Sequence, residues 1–307
     1  MSDLFVDRLL DAIARKGAPV CVGIDPIFEL LPDAIAGPVD KRDANDLDAC
    51  LDAIHDFCRS VLEVVAPLVP IVKFQSAYFE RYLWEGVEAY YELVQEAKDL
   101  GLLTIGDVKR GDIGSTSEAY ADAHLSALSF PQAEHVSTPD AITINPMLGM
   151  DAIEPFVKVA RQTGKGLFVL VRTSNPGSAD FQDAKLEDGR TWSAALADRL
   201  RPIAETEGLM GTGGWSNLGA VVGATQAHMM RSLRERLPKS IFLLPGYGTQ
   251  GGTAEMTRAA LSNGTGAIVS ASRSVLYPKS ADSLRWQDQT VDAVRSMISD
   301  IAALAKN

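Results

Sequence analysis

The sequence predicts a (β/α)₈ barrel formed as a single domain over residues 1–307, and three observations carry that prediction. Short, almost continuously apolar runs alternate with helical patterns along the chain, as strands buried on both faces should. Eight such runs occur, enough to close a parallel sheet on itself. Polar residues collect at the carboxyl ends of those runs, the end at which such barrels build their sites. An open doubly wound sheet shares this periodicity, so closure rests on the number of strands.

The strand candidates are 18–25, 69–74, 102–107, 141–145, 167–172, 219–223, 241–245 and 266–270. The segment 1–16 mixes Asp3, Asp7, Arg8, Asp11 and Arg15 with apolar residues at helical spacing, which reads as a helix and not as a secretory leader. Amphipathic stretches follow at 46–65, 87–100, 117–128, 152–162, 192–207, 225–236 and 290–304. No internal repeat or linker interrupts them, and Pro and Gly punctuate element ends. The longest connection, at about 173–218, holds a helix and then Gly211-Thr212-Gly213-Gly214, which reads as a flexible stretch.

Composition bounds the function. A chain that is 46% hydrophobic and 22% charged is ordered and can bury a large core. Acidic residues outnumber basic ones, 40 to 29, for a net charge of −11. Such a surface repels nucleic acid and anionic membranes, so neither is expected as a partner. An anionic substrate would need a local concentration of Lys, Arg and backbone N–H groups. Cys21, Cys50 and Cys58 have no ligand or redox spacing and read as reduced thiols of a cytoplasmic protein. No apolar run has the length of a membrane span. His55, His124, His135 and His228 show no ligand spacing, and packing or surface roles are expected.

The strand ends carry the candidate chemistry. Asp25 closes the first, Lys73 lies on the second, and the third runs into Asp107-Val108-Lys109-Arg110-Gly111-Asp112. In extended backbone, Asp107 and Lys109 point to one side. Gly111 permits a turn that would return Asp112 towards Lys109, and Lys73 can reach the same cluster. The result is an alternating Lys-Asp array in which each buried charge has an opposite. Taken alone, this pattern serves equally as a salt-bridged strand end or a reactive site. The seventh strand leads into Gly246-Tyr247-Gly248-Thr249-Gln250-Gly251-Gly252 and the eighth into Ser272-Arg273-Ser274. Glycine loops at these two strands let backbone N–H groups approach phosphate, and arginine offers a fork of donors to its oxygens. An ordinary turn beside a surface arginine is the plainer reading.

These motifs, with Val72-Lys73-Phe74-Gln75 and Ser174-Asn175-Pro176-Gly177, resemble the orotidine 5′-monophosphate decarboxylase family, in its longer-chain branch, from Val22 to Ser274. The resemblance implies a barrel enzyme converting orotidine monophosphate to uridine monophosphate and carbon dioxide in pyrimidine nucleotide synthesis. It implies no metal or organic cofactor, and a homodimer with sites at the interface. Carried onto this chain, Lys109 would donate the proton and Asp107 would lie beside the substrate carboxylate. Lys73 would hold the array and touch the ribose, with Asp25 on the ribose hydroxyls. Asp112 and Thr116 would enter the partner's site, and Ser174 would bond the pyrimidine. Gln250, Arg273 and the backbone near Ser272 would hold the phosphate.

Three other functions fit parts of the pattern. A metal-dependent sugar-phosphate branch shares the Asp-x-Lys-x-x-Asp motif but needs an acidic ligand where Lys73 stands, and an ammonium there repels magnesium. Schiff-base aldolase chemistry needs a neutral amine, whereas carboxylate neighbours keep a lysine charged. A non-catalytic nucleotide-phosphate binder would keep Gln250 and Arg273 but has no need of the charge array.

Overall fold

The computed structural model describes residues 4–37, 46–127, 130–133, 135–223, 227–247, 254–262, 264–278 and 285–305. Its centre is a closed parallel barrel in which each strand pairs with the next and β8 returns to β1. The strands are β1 (Val20–Ile24), β2 (Ile71–Gln75), β3 (Leu103–Arg110), β4 (Ala141–Ile144), β5 (Gly166–Arg172), β6 (Ser216–Val222), β7 (Ser240–Leu244) and β8 (Ala267–Ala271). All eight expected strands are present. Their residues are almost all buried because one face packs inside the barrel and the other under helices.

Two apolar layers result. Inside, Ile71, Ile105, Phe168, Leu243 and Ile268 fill the barrel. Outside, the strands' other faces meet the helices, including Leu47–Val65, Leu83–Asp99 and Trp286–Ala305. The first helix, Phe5–Lys16, closes the amino end of the barrel. Its Phe5 ring meets Phe168 edge-on with centroids 6.1 Å apart. A side chain at Gly166 would collide with the Phe5 ring, so that strand start must be glycine. With one end plugged, the opening lies at the carboxyl ends of the strands.

Several expectations change in detail, three of them with a physical reason or consequence. β3 runs three residues beyond Asp107. The helix expected from residue 87 begins at Leu83, where Gly86 is needed because a Cβ there would run into the Phe79 carbonyl. The glycine stretch 211–214 is a pinned turn: the Asp7 carboxylate accepts from the N–H of Thr212 at 3.0 Å and of Gly213 at 3.2 Å. The glycines serve close approach to Asp7 there, not looseness.

His124, on the helix Gly114–Leu125, is buried against Tyr91, whose hydroxyl lies 3.3 Å from Nδ1. Burial, aided by the nearby Arg110 charge, pulls its pKa from 6.5 down to about 4. The unfolded chain therefore binds a proton near pH 6.5 that the folded chain refuses until about pH 4. Stability should fall as pH drops through that window, by up to about 3 kcal/mol from this residue. Urea denaturation at pH 7.5 and 4.5 tests this: His124→Gln should lose less stability on acidification than the wild type. Equal losses would remove His124 from the account.

Candidate active site

The open end holds a cavity of about 480 Å³ floored by Leu170, Val221 and Leu243. Of the expected residues, Asp25, Lys73, Asp107, Lys109, Ser174, Ser272 and Arg273 line it. Residues more than two hundred positions apart thus converge because every strand ends on the same rim.

Asp107 is the centre of the polar cluster. Strand register sets Gln75 opposite Asp107 and Lys73 two residues earlier, opposite Ile105. Lys73 Nζ lies 3.0 Å from Asp107 Oδ2, which also accepts from the Gln75 amide at 2.9 Å. Oδ1 accepts from Lys109 Nζ at 2.7 Å and from the Thr143 hydroxyl at 2.9 Å. The carboxylate therefore has four donors, two of them cations. Lys73 also stands 3.8 Å from Asp25 Oδ1.

Burial opposes charge on both central groups, and pairing outweighs it. Lys73 is desolvated, yet Asp107 and Asp25 raise its pKa above the ordinary lysine value. Burial would raise Asp107, but Lys73 and Lys109 hold it well below the usual carboxylate range. Beneath them Cys21 is buried, and burial pushes its thiol up to about 12, so it stays protonated. The side chains of Lys73 and Asp107 are 7% and 11% exposed, while that of Lys109 is 44% exposed. Lys109 is thus the most exposed member of the array in the cavity.

Lys109 reaches Asp107 by a different route from the one its spacing suggests. Its backbone is left-handed, with φ at 47°, and not extended. Such a conformation costs a non-glycine residue about 1 kcal/mol. The Thr143 hydroxyl holds it by accepting from the Lys109 N–H at 3.0 Å. Next to it, Arg110 is fixed by Glu80 and by the Val108 carbonyl.

Asp112 and Thr116 do not line this cavity. Gly111 packs too tightly on the Asn145 carbonyl to admit a side chain, and Asn145 N–H donates to the Arg110 carbonyl at 2.8 Å. The chain is thereby carried away from Lys109, and the expected return of Asp112 to Lys109 within one chain is not realised. The Asp112 carboxylate instead accepts from Ile113 N–H at 2.8 Å, and Thr116 is exposed on the helix Gly114–Leu125. Gln250 and the loop 248–253 lie outside the described residues.

Gln75, quoted in a motif, and Thr143 were given no role by sequence. Both had a signal: Gln75 is two residues from Lys73 on a strand, and Thr143 is a polar residue within the apolar run Ala141–Ile144. Asp25 Oδ1 is buried and accepts no hydrogen bond from the described residues. An acceptor so placed at a cavity wall is suited to a ligand hydroxyl. At the eighth strand, Ser272 crosses so close over β1 that Gly23 has room for no side chain. His135 lies on the outer surface, as expected of a surface residue, with ligand atoms of Glu88, Glu92 and His135 within 4.8 Å of one another and away from the cavity.

Comparison with known proteins agrees with this architecture. Residues 19–282 match the family model described as Orotidine 5'-phosphate decarboxylase / HUMPS family. A Rhodopirellula baltica protein named orotidine 5'-phosphate decarboxylase is 39% identical, over 92% of this chain and 94% of its own. One of the same name from Caldicellulosiruptor bescii is 38% identical over 89% of each. Among solved structures, a Streptomyces avermitilis chain assigned to this decarboxylase superposes with a TM-score of 0.81 at 33% identity, covering 100% of this chain and 98% of that one. The Leishmania donovani OMP decarboxylase superposes at 0.72 with 27% identity over the full length of both. By the extent of these matches and the barrel they share, this chain belongs to the orotidine 5'-phosphate decarboxylase / HUMPS family.

Proposed function

We propose that the Lys73–Asp107–Lys109 array carries out the chain's decarboxylation without a metal or organic cofactor. The chain is a carboxy-lyase that converts orotidine 5′-monophosphate to uridine 5′-monophosphate and carbon dioxide. The observation that supports the array's role most is Lys109: it is exposed to the cavity and held against a carboxylate that is buried and ionised.

When the bond from the pyrimidine ring to its carboxylate breaks, carbon dioxide departs and the electron pair stays on the ring carbon. The Lys109 ammonium, already in place, stabilises that pair and then delivers a proton to it. Water reprotonates the amine. Asp107 beside the substrate carboxylate adds a repulsion that departure relieves, a smaller contribution. Each tenfold in rate corresponds to about 1.4 kcal/mol, so many small effects must combine. Asp25 and Lys73 take the ribose hydroxyls, and Ser174 takes the ring edge. Arg273, the backbone near Ser272, and Gln250 take the phosphate, whose binding energy serves the distant reacting carbon. The sugar-phosphate branch of the family would need a carboxylate ligand at Lys73, which is here a charged lysine.

The active form is a homodimer of a cytoplasmic protein. Asp112 and Thr116 stand outside their own cavity, and Ile113 between them is exposed, which supports a role for this segment against a second copy. No described helix is long and apolar enough to cross a membrane.

Lys109→Ala should lower turnover of orotidine monophosphate by about 10³-fold or more while binding uridine monophosphate nearly as tightly. Near-normal turnover would disqualify Lys109 as the proton donor. Lys73→Met removes the buried one of the two cations that pair with Asp107 and should cost about 3–5 kcal/mol in urea denaturation at pH 7. A loss below about 1 kcal/mol would show that Lys109, Gln75 and Thr143 suffice to hold Asp107. Mixing Lys109→Ala with Asp112→Ala should restore activity, to about a quarter of wild type if subunits re-associate at random. No restoration in a demonstrated hybrid dimer would end the shared-site reading.

A further inference from the structure

The loop that leaves β5 carries Thr173, Ser174 and Asn175 to the cavity wall. It is held from behind. Between Leu170 and Arg172 the register of β5 on β6 shifts, which sets Arg172 opposite Val222. Val222 packs in the outer layer, so Arg172 points away from the cavity, and it is 5% exposed. Its Nε and Nη2 donate to the two oxygens of Asp183 at 2.8 and 2.9 Å. Its remaining nitrogen Nη1 donates to the Thr173 carbonyl and the Ser178 hydroxyl. One guanidinium thus ties the start, middle and end of the segment 173–183.

Further bonds complete the closure. Thr173 N–H donates to Gln182 Oε1 at 2.7 Å, and the Ser178 hydroxyl donates to the Asn175 carbonyl at 2.6 Å. On the other side, Gly223 packs so closely that a Cβ there would lie 2.7 Å from Ser174 Cα. Ser174 and Asn175 are therefore fixed between a glycine and an arginine fork, neither of which is a cavity group. A planar bidentate pair fixes direction as well as distance, which a lysine cannot do.

We propose that the Arg172–Asp183 pair is a positioning clasp that sets Ser174 and Asn175 at the cavity wall and thereby tunes the grip on the ring part of the nucleotide. The role assigned to the ring edge rests on the function proposed above; the clasp itself does not. The clasp acts on the ring end alone, because the phosphate end is built by β7 and β8.

The test uses Arg172→Lys and the milder Asp183→Asn, at the half-buried end of the pair, with two probes. Uridine monophosphate has the ring; ribose 5-phosphate lacks it. Each variant should weaken uridine monophosphate binding about 10-fold or more and leave ribose 5-phosphate binding within about 2-fold of wild type. Equal loss for both probes would mean general damage and overturn the proposal. In a Ser174→Ala background, Arg172→Lys should have little further effect on uridine monophosphate, because both changes remove one contact. Full multiplication of the two effects would overturn action through Ser174. If Ser174→Ala alone changes neither probe, the ring-edge role of Ser174 falls. Amide hydrogen exchange then decides the clasp separately: faster exchange confined to 173–183 in both variants supports it, and unchanged protection overturns it.

Discussion

The ionised carboxylate of Asp107, buried between two lysines, is the constraint on which the rest of this site depends. A buried carboxylate is tolerated only if donors surround it, and its four donors come from three strands: Lys73 and Gln75 on β2, Lys109 on β3 and Thr143 on β4. Such an arrangement contributes little to net stability compared with apolar packing of the same volume. What it provides is a fixed field. Charges set before the substrate arrives need no reorganisation as the reaction proceeds.

The barrel makes that field affordable in structural terms. Parallel strands in fixed register deliver side chains to one rim with little freedom, while the helix Phe5–Lys16 seals the opposite end. Local strain is then placed where it is useful. The left-handed backbone at Lys109 turns its ammonium back onto Asp107, and Thr143 bonds both the Lys109 N–H and the Asp107 carboxylate. The same theme recurs at β5, where a register shift turns Arg172 outward beneath the loop that bears Ser174.

The eight strands were legible because runs buried on both faces are apolar almost throughout, as in Leu167–Val171. Asp25, Lys73, Asp107 and Lys109 were legible because charged residues at such strand ends stand out against that background. Thr143 was not, since one hydroxyl in a four-residue strand is weak against β-branched neighbours of the same propensity. The path of Asp112 was also hidden. A glycine announces a turn but not its direction, which here is set by packing of Gly111 on Asn145. The proximity of His135 to Glu88 and Glu92 joins distant segments and leaves no local spacing to read.

Cofactor-free decarboxylation by a preset lysine–carboxylate array is tested most directly by turnover of orotidine monophosphate by the purified protein in excess EDTA, followed as loss of orotate absorbance. Full activity is expected, unchanged when divalent cations are restored. Absence of turnover in EDTA that magnesium or another divalent cation restores would contradict it.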